Sequence, residues 1–312
     1  MISRLLPVTV AALLASLWVD AGLRGDAQAV VPPDSVRLLH DLSVLAHDSM
    51  EGRAPGTPGS DRARAFLIRE LREAGALPIG SSYEHPFRWR EGRAGINIVS
   101  RIPGRADEGI IVLTAHFDHQ GIRDGDIYNG ADDNASGAVA ALEIARLVSE
   151  APLQSTLIVA LLDAEESGLQ GARAFVRDPP IALELVSLNI NLDMVSRSGG
   201  LLWAAGAHHT PGLRPILEGV AATAPVTLRL GHDRPNAPEG GDWTHASDHG
   251  PFHAAGIPFV YFGVEDHPDY HRPTDDFERV VPSEFVNSVR TIYAALRALD
   301  AALPLLERRS PR

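Results

Sequence analysis

The segments ASGAVAALEIARLVSE (residues 135–150) and STLIVALLDA (155–164) decide the fold class of this chain. The first carries apolar residues at helical spacing, and the second is a continuous apolar run typical of a buried strand. The same alternation extends in both directions. It predicts strands at 97–102, 109–116, 185–195, 201–207 and 257–263, and helices at 60–76, 167–178, 211–223 and about 283–301. Such alternation is typical of a mostly parallel sheet with helices on both faces, so we expect an α/β fold.

Polar clusters directly follow three of the predicted strands, at 116–119, at 163–166 and at Asp193. In a parallel sheet the carboxyl ends of the strands meet at one edge, where α/β folds hold their sites. The glycine-rich segment GTPGSDRARAF near residue 56 lacks the lysine of a phosphate-binding loop, which argues against nucleotide binding. The sequence therefore predicts a polar site at the carboxyl edge of the sheet.

Composition limits the classes of partner. The 312 residues are 45% hydrophobic, which is enough for a sizeable core, and the net charge is −12. No basic stripe is present that could neutralise phosphates, so we expect no nucleic-acid partner. The chain has no cysteine, which excludes disulfides.

The N-terminal segment has the layout of a secretory signal peptide. MISR carries an arginine, LLPVTVAALLASLWV is an apolar run too short for a membrane span, and DAQA ends in a small-x-small pattern at Ala29. We expect cleavage after residue 29 and export to the periplasm or the medium of a bacterium, without stable membrane association afterwards. Residues 30–312 are then expected to form one domain with a mobile tail at 305–312.

The motif GADDNASG (130–137) places two aspartates and an asparagine immediately before the helix predicted at 135–150. One such residue is enough to cap a helix, so the surplus indicates a second role. In HFDH (116–119), Asp118 stands two residues after His116, where a carboxylate can fix the tautomer of an imidazole. Taken singly, each motif is also typical of an ordinary charged turn.

Three further motifs carry carboxylates or imidazole. DAEESG holds the neighbours Glu165 and Glu166, whose side chains diverge, so that one can bind a metal while the other serves as a general base. Asp193 ends a strongly apolar strand in NLDM and needs a partner there, because aspartate is rarely buried unpaired. DYHRPTDD supplies His271, with Asp275 four residues later.

These motifs carry a resemblance to a known family. Between about residues 40 and 300 the chain is similar to the secreted di-zinc aminopeptidases of metallopeptidase family twenty-eight. The upstream segments at 48–71 and 95–104 also resemble that family. The motifs that carry the resemblance, in order, are AHFDH, GADDNASG, DAEESGLQGARAF, NLDM, SDHGPFHAAGIP and DYHRPTDD.

The resemblance implies a set of roles. It implies two zinc ions in a single catalytic domain, with cobalt or manganese as substitutes, because oxygen and imidazole ligands without thiolate suit these metals. It also implies a cis peptide between Asp132 and Asp133. The implied site residues are His116 and Asp193 on one zinc, Glu166 and His271 on the other, Asp132 bridging both, Glu165 as general base, Asp118 orienting His116, Tyr270 polarising the substrate carbonyl and His249 lining the cleft.

Removal of N-terminal residues from peptide substrates is the activity that this set favours. Alternatives on the same scaffold are a carboxypeptidase, a glutaminyl cyclase working with a single zinc, or a peptidase-like binding protein without activity. All five ligand positions of the family are filled, which favours two metals and hydrolysis. The sequence leaves the side-chain preference of the substrate and the oligomeric state open.

Overall fold

A nine-stranded sheet runs through the computed structural model, which describes residues 32–89, 92–106, 109–237 and 241–303. The expected signal peptide and the tail at 305–312 lie outside these ranges. Strands β5 and β6 form a separate hairpin. In chain order the strands are β1 (Leu77–Pro78), β2 (Glu84–Arg88), β3 (Ala94–Ile102), β4 (Ile110–His116), β5 (Gly121–Arg123), β6 (Asp126–Tyr128), β7 (Thr156–Leu162), β8 (Val186–Asp193), β9 (Leu201–Ala205), β10 (Thr227–Leu230) and β11 (Phe259–Gly263).

The strands lie in the order β1-β3-β7-β4-β8-β11-β9-β10, and β2 also pairs with β3. The central strands β7, β4, β8 and β11 are mutually parallel, whereas β1, β2 and β7 pair with β3 in antiparallel fashion, as β9 does with β11. The predicted α/β class with a mostly parallel sheet is confirmed. The short strands β2 and β10 were not predicted, because their half-exposed segments lack the continuous apolar runs of the central strands.

Helices cover both faces of the sheet. Because side chains alternate along a strand, Ile111 and Leu113 of β4 join one apolar core and Val112 joins the other. The first core contains residues of α1, α2, α3, α5 and α7, and the second contains residues of α4 and α6. The helices are α1 (Ser35–Leu45), α2 (Pro58–Glu73), α3 (Gly137–Glu150), α4 (Gln170–Arg177), α5 (Leu213–Ala221), α6 (His249–Ala254) and α7 (Pro282–Ala302).

The register of the parallel strands aligns their carboxyl ends. His116 at the end of β4 pairs with Leu162 at the end of β7, and Asp193 at the end of β8 pairs with Gly263 at the end of β11. The polar segments that follow these strands therefore begin at one edge of the sheet. Within the described ranges, the chain contains no helix that is long and apolar enough to span a bilayer.

A fully buried arginine ties the segment at 35–53, which contains α1, to this edge of the sheet. Arg53 ends a short 3₁₀ turn (Asp48–Arg53). Its guanidinium donates hydrogen bonds of 2.5–3.0 Å to four main-chain carbonyls, those of Leu45, Phe117, Asn129 and Gly130. Burial lowers the pKa of Arg53 to about 10, although nearby carboxylates oppose that shift, so the side chain stays charged at neutral pH. It thereby fastens the loops at 116–119 and 129–133 to the helical N-terminal segment.

Substitution of Arg53 by methionine is expected to lower the free energy of unfolding by about 3–5 kcal/mol, because four buried carbonyls would each lose a donor and, among the described residues, only that of Gly130 would keep another, the Ala135 amide. Urea denaturation of Arg53→Met beside the wild type measures this. The exposed Arg214, paired with Glu218 on the surface of α5, gives the matched control Arg214→Met. A loss of less than 1 kcal/mol for Arg53→Met would contradict this role.

Candidate metal centre

Side chains from five segments meet at the carboxyl edge of the sheet. His116 ends β4, Glu165 and Glu166 follow β7, and Asp193 ends β8. The other two come from a π turn at Ala131–Ser136, which contributes Asp133, and from the loop after β11, which contributes His271. Of the five metal ligands implied by the resemblance, the structure brings four together, and the fifth, Asp132, lies outside the cluster.

Carboxylate oxygens surround the His116 imidazole and form with it the first group of candidate metal ligands. Its Nε2 lies 3.3 Å from Asp193 Oδ1, 3.4 Å from Asp133 Oδ1 and 3.9 Å from Glu165 Oε2. Its Nδ1 lies 3.2 Å from the carbonyl oxygen of Asp118 and can donate to it, which leaves the lone pair on Nε2. A lone pair that faces several carboxylate oxygens is repelled by them unless a proton or a metal ion lies between.

A second group surrounds His271. Its Nε2 lies 3.0 Å from Asp133 Oδ2 and 3.4 Å from Glu166 Oε2. Two ligands bound tetrahedrally at about 2.0–2.1 Å from zinc are about 3.3 Å apart, so the 3.0–3.4 Å spacings in both groups fit that ion. Asp133 offers one oxygen to each group.

Asp132, to which the resemblance assigned the bridging role, makes a separate set of contacts. Its carboxylate is fully buried, and its Oδ1 accepts hydrogen bonds from the Ser196 amide at 2.7 Å, the Ser196 hydroxyl at 2.8 Å and the Ser136 hydroxyl at 3.2 Å. Its Oδ2 lies 3.2 Å from His267 Nε2. These contacts hold the carboxylate away from His116 and His271.

The main chain around Asp133 is held from two sides. Asp275 accepts hydrogen bonds from the amides of Asp132 and Asp133, and Asn134 Oδ1 accepts from Gly137 and Met194. The cis peptide joins Asp133 to Asn134, one bond later than the resemblance implied.

Gly137 is required here, because a Cβ at that position would come within 2.3 Å of the Asn134 side chain and 2.6 Å of the Leu192 carbonyl. The helix α3 therefore begins with a residue that leaves room for the Asn134 amide. That amide links the turn to the end of β8, because its Nδ2 donates to the Leu192 carbonyl at 2.9 Å.

Asp118 positions the two glutamates more directly than it positions His116. Its Oδ1 lies 3.7 Å from His116 Nδ1, too far for a hydrogen bond, and the imidazole contacts the Asp118 carbonyl instead. The fully buried carboxylate accepts from the amides of Glu165 at 3.0 Å and Glu166 at 3.4 Å. Asp118 thus fixes the turn that carries both glutamates.

His119 belongs to the cluster although the sequence did not single it out. Its side chain is fully buried, and its Nδ1 lies 2.6 Å from Glu166 Oε1 and 3.8 Å from Asp133 Oδ2. Gln120 donates to Glu166 Oε2 at 3.2 Å, so both oxygens of that carboxylate have partners. The only signal in the sequence was the second histidine of HFDH. Among the described residues, the groups whose ligand atoms lie close enough to share a metal ion are His116, Glu165 and Asp193, and His119, Asp133 and Glu166.

Crowded charge shifts the ionisation of the cluster. Burial raises the pKa of Glu165 well above its usual range, and the nearby Asp193 carboxylate adds to this although His116 opposes it. For His116, burial alone would lower the pKa, but the carboxylates of Asp193 and Glu165 outweigh it and raise the pKa strongly. Burial also opposes ionisation of Glu166, yet contacts with His119 and His271 lower its pKa far below the ordinary value. In the absence of metal, the cluster therefore holds protons on Glu165 and His116, and bound divalent cations would replace them.

A cavity of about 390 Å³, called the acidic cavity below, opens onto the cluster. Tyr270 lines it with its ring stacked on His271, at 3.9 Å between centroids, and Tyr261 lines it from β11. Burial raises the pKa of Tyr270, so its phenol keeps its proton. The lining residues are His116, Asp133, Glu165, Glu166, Gly168, Leu169, Asp193, Met194, Trp243, His245, Ala246, Tyr261, Val264, Asp266, Tyr270 and His271.

His249 does not line this cavity, contrary to the role implied by the resemblance. Its side chain is fully buried between the rings of Phe259 and Tyr261, each 4.7 Å away between centroids. Its Nε2 lies 2.7 Å from the Trp243 carbonyl and donates to it. Packing against these two rings leaves the His249 side chain without exposed surface.

An α/β sheet with carboxylates and imidazoles spaced for zinc at its carboxyl edge is typical of metal-dependent enzymes. The chain belongs to peptidase family M28, whose family model matches residues 97–296. The resemblance found in the sequence is thereby confirmed. Membership supports a hydrolase of the zinc metallopeptidase type.

Two curated relatives match part of the chain. Aminopeptidase YwaD of Bacillus subtilis (strain 168) is 31% identical over 178 residues, which cover 55% of this chain and 37% of that protein. Leupeptin-inactivating enzyme 1 of Streptomyces exfoliatus is 30% identical over 177 residues, which cover 54% of this chain and 38% of that protein. The matches thus span less than two fifths of the length of these relatives.

Solved structures share the fold at low identity. A leucine aminopeptidase precursor from Bacteroides thetaiotaomicron VPI-5482 has a TM-score of 0.71 and 20% identity, covering 86% of this chain and 98% of the other. A glutaminyl cyclase from Porphyromonas gingivalis has a TM-score of 0.71 and 21% identity, covering 85% and 98%. The same fold therefore serves two different reactions, and the site has to decide between them.

Stability should depend on pH through His249. Burial lowers its pKa to about 3, against about 6.5 in an unfolded chain. Between these values the unfolded state binds a proton that the folded state does not. The free energy of unfolding contributed by the neutral ring is therefore full above pH 6.5 and falls as the pH falls toward 3.

The variant His249→Gln keeps a donor for the Trp243 carbonyl but removes the titration. Its free energy of unfolding should decline less steeply between pH 6 and 4, by up to about 1.4 kcal/mol per pH unit. Urea denaturation at several pH values measures the slope, with the exposed His40 on α1 as the control variant His40→Gln. Equal slopes in wild type and His249→Gln would show that the ring is not held neutral.

Proposed function

We propose that this protein is a zinc-dependent aminopeptidase that binds two zinc ions and removes N-terminal residues from peptides. The observation that carries the proposal is the division of Asp133 between two ligand groups, one oxygen toward His116 and the other toward His271. His116 and Asp193 would hold one ion, and Glu166 and His271 would hold the other. Cobalt or manganese could replace zinc on this set of nitrogen and oxygen donors.

Zinc bound in such a pair lowers the pKa of water and polarises the carbonyl of the scissile bond. The residues of the chain handle the proton and the orientation. Glu165 reaches into the cluster, with its Oε2 3.9 Å from His116 Nε2, and it is not needed as a ligand once Asp133 and Asp193 are engaged. Its environment raises its pKa, which suits a carboxylate that accepts a proton from water and passes it to the leaving amine.

Tyr270 would act on the substrate carbonyl. Its phenol remains protonated and lines the acidic cavity, where it can donate a hydrogen bond as negative charge develops on the carbonyl oxygen. Asp118 and His119 would act as positioning residues. Asp118 holds the backbone of the glutamate turn, and His119 holds the outer oxygen of Glu166.

The charges around the acidic cavity support an aminopeptidase over a carboxypeptidase. No lysine or arginine is among the described residues that line this cavity, so the cavity itself would not bind a C-terminal carboxylate. Glu165 and Asp266 leave carboxylate charge beyond that required by the ions. That charge favours the ammonium of a free N-terminus.

Glutaminyl cyclase activity remains the second candidate, because a cyclase shares the fold as closely as an aminopeptidase does. The completeness of both ligand groups argues against the single-zinc centre expected of such a cyclase. A binding protein without activity would be expected to lack ligands, and both groups are filled. The layout of residues 1–29 supports export to the periplasm or the medium as part of this proposal.

Replacement of Glu165 by glutamine should lower kcat by roughly 10²–10⁴-fold and leave zinc bound. Aminoacyl p-nitroanilides with free and acetylated N-termini serve as substrates, and metal analysis follows zinc in the same samples. A chelator should abolish hydrolysis in the wild type, and added zinc should restore it. Equal cleavage of free and acetylated substrates would contradict the aminopeptidase assignment, and full turnover by Glu165→Gln would contradict the role of Glu165.

A further inference from the structure

A second cavity touches the metal cluster from another side. This arginine pocket, of about 470 Å³, is lined among others by Trp89, Arg93, Gln120, Arg123 and Glu166. Glu166 also lines the acidic cavity, so the two cavities adjoin at this residue. The arginine pocket therefore lies next to the cluster at which the scissile bond of a substrate would be placed.

The two arginines bring positive charge close to Glu166. Arg123 Nε donates to the Gln120 carbonyl at 3.3 Å, and the Gln120 amide donates to Glu166 Oε2 at 3.2 Å. The Arg123 guanidinium also lies 5.6 Å from the Tyr128 ring, which limits its freedom. Both Arg93 and Arg123 are exposed, and neither pairs with a carboxylate of the described residues.

Charge is thus polarised across Glu166. The acidic cavity presents carboxylates without lysine or arginine, and the arginine pocket presents two cations beside the half-buried indole of Trp89. If a peptide places its ammonium in the acidic cavity, the residue beyond the scissile bond must lie outside that cavity, and the arginine pocket is next to it. Two extended residues span about 7 Å, so a carboxylate one residue beyond the bond stays close to the cluster.

We infer that the arginine pocket binds a carboxylate on the leaving-group side of the substrate, which makes short unblocked peptides a favoured substrate class. This inference rests on the proposed aminopeptidase function. Guanidinium groups bind carboxylates with directional, charge-assisted hydrogen bonds, and Trp89 offers an apolar surface for the leaving residue. The carboxylate can be the C-terminus of a dipeptide or an acidic side chain that follows the scissile bond.

The test compares substrates with and without a carboxylate on the leaving residue. Leu-Gly and Leu-Gly-amide differ in the C-terminal carboxylate, and Leu-Asp-amide carries the charge on a side chain instead. For the wild type, kcat/KM should be roughly three- to tenfold higher for a charged substrate than for Leu-Gly-amide, chiefly through KM. In the double variant Arg93→Gln/Arg123→Gln this ratio should fall to about one.

The experiment separates the two sources of carboxylate. It also separates failure of this inference from failure of the proposed aminopeptidase function. A ratio that collapses for Leu-Gly alone identifies the C-terminus, and one that collapses for Leu-Asp-amide alone identifies the side chain. The control Arg214→Gln removes an exposed arginine on α5 and should leave the ratio unchanged. If the ratio of kcat/KM values is the same in the wild type and the double variant while Leu-p-nitroanilide is cleaved, the inference about the arginine pocket is wrong and the proposed aminopeptidase function is unaffected. If none of the substrates is cleaved, both fail.

Discussion

The arrangement of this site depends on one carboxylate that faces two ways. Asp133 directs one oxygen toward His116 and the other toward His271, although these histidines lie 155 positions apart. The carboxylate can do so because its backbone is fixed by Asp275 and by the side chain of Asn134. Every other ligand is placed relative to this centre by the end of a parallel strand or by a loop that follows one.

Concentrating so many carboxylates at one edge has an electrostatic cost. Burial, with repulsion from neighbouring carboxylates, raises the pKa of Asp133 and Glu165, so some of this charge would be lost in the absence of cations. Arg53 supplies a fixed positive charge beneath the loops, but it donates only to carbonyls and does not neutralise any carboxylate directly. Divalent ions at the two groups would balance the rest, so the folded site favours binding of metal.

Much of the fold could be predicted from the sequence, because the central strands are continuous apolar runs. Such runs indicate buried strands without information about distant residues. His116 and Asp193 could be placed for the same reason, since each ends such a strand. Which of Asp132 and Asp133 faces both histidines could not be predicted from the sequence. It is decided by Ser196, which lies 64 residues after Asp132, and by Asp275, which lies 143 residues after it, and neither contact leaves a local pattern.

The same limit applies to other residues that act through distant partners. His119 contacts Glu166, 47 positions along the chain, and Arg53 contacts carbonyls that are 64–77 positions away. His249 illustrates the reverse error, because a histidine within a matching motif is buried here by aromatic rings. Motifs thus locate a site within a residue or two, and packing decides which side chain enters it.

The central claim is that Asp133 bridges two metal ions. The most direct measurement is a crystal structure of zinc-loaded protein with anomalous difference maps collected at the zinc edge. We expect two peaks about 3.5–4 Å apart on either side of the Asp133 carboxylate, one beside His116 and the other beside His271. A single peak, or a pair of peaks flanking the Asp132 carboxylate instead, would contradict the account.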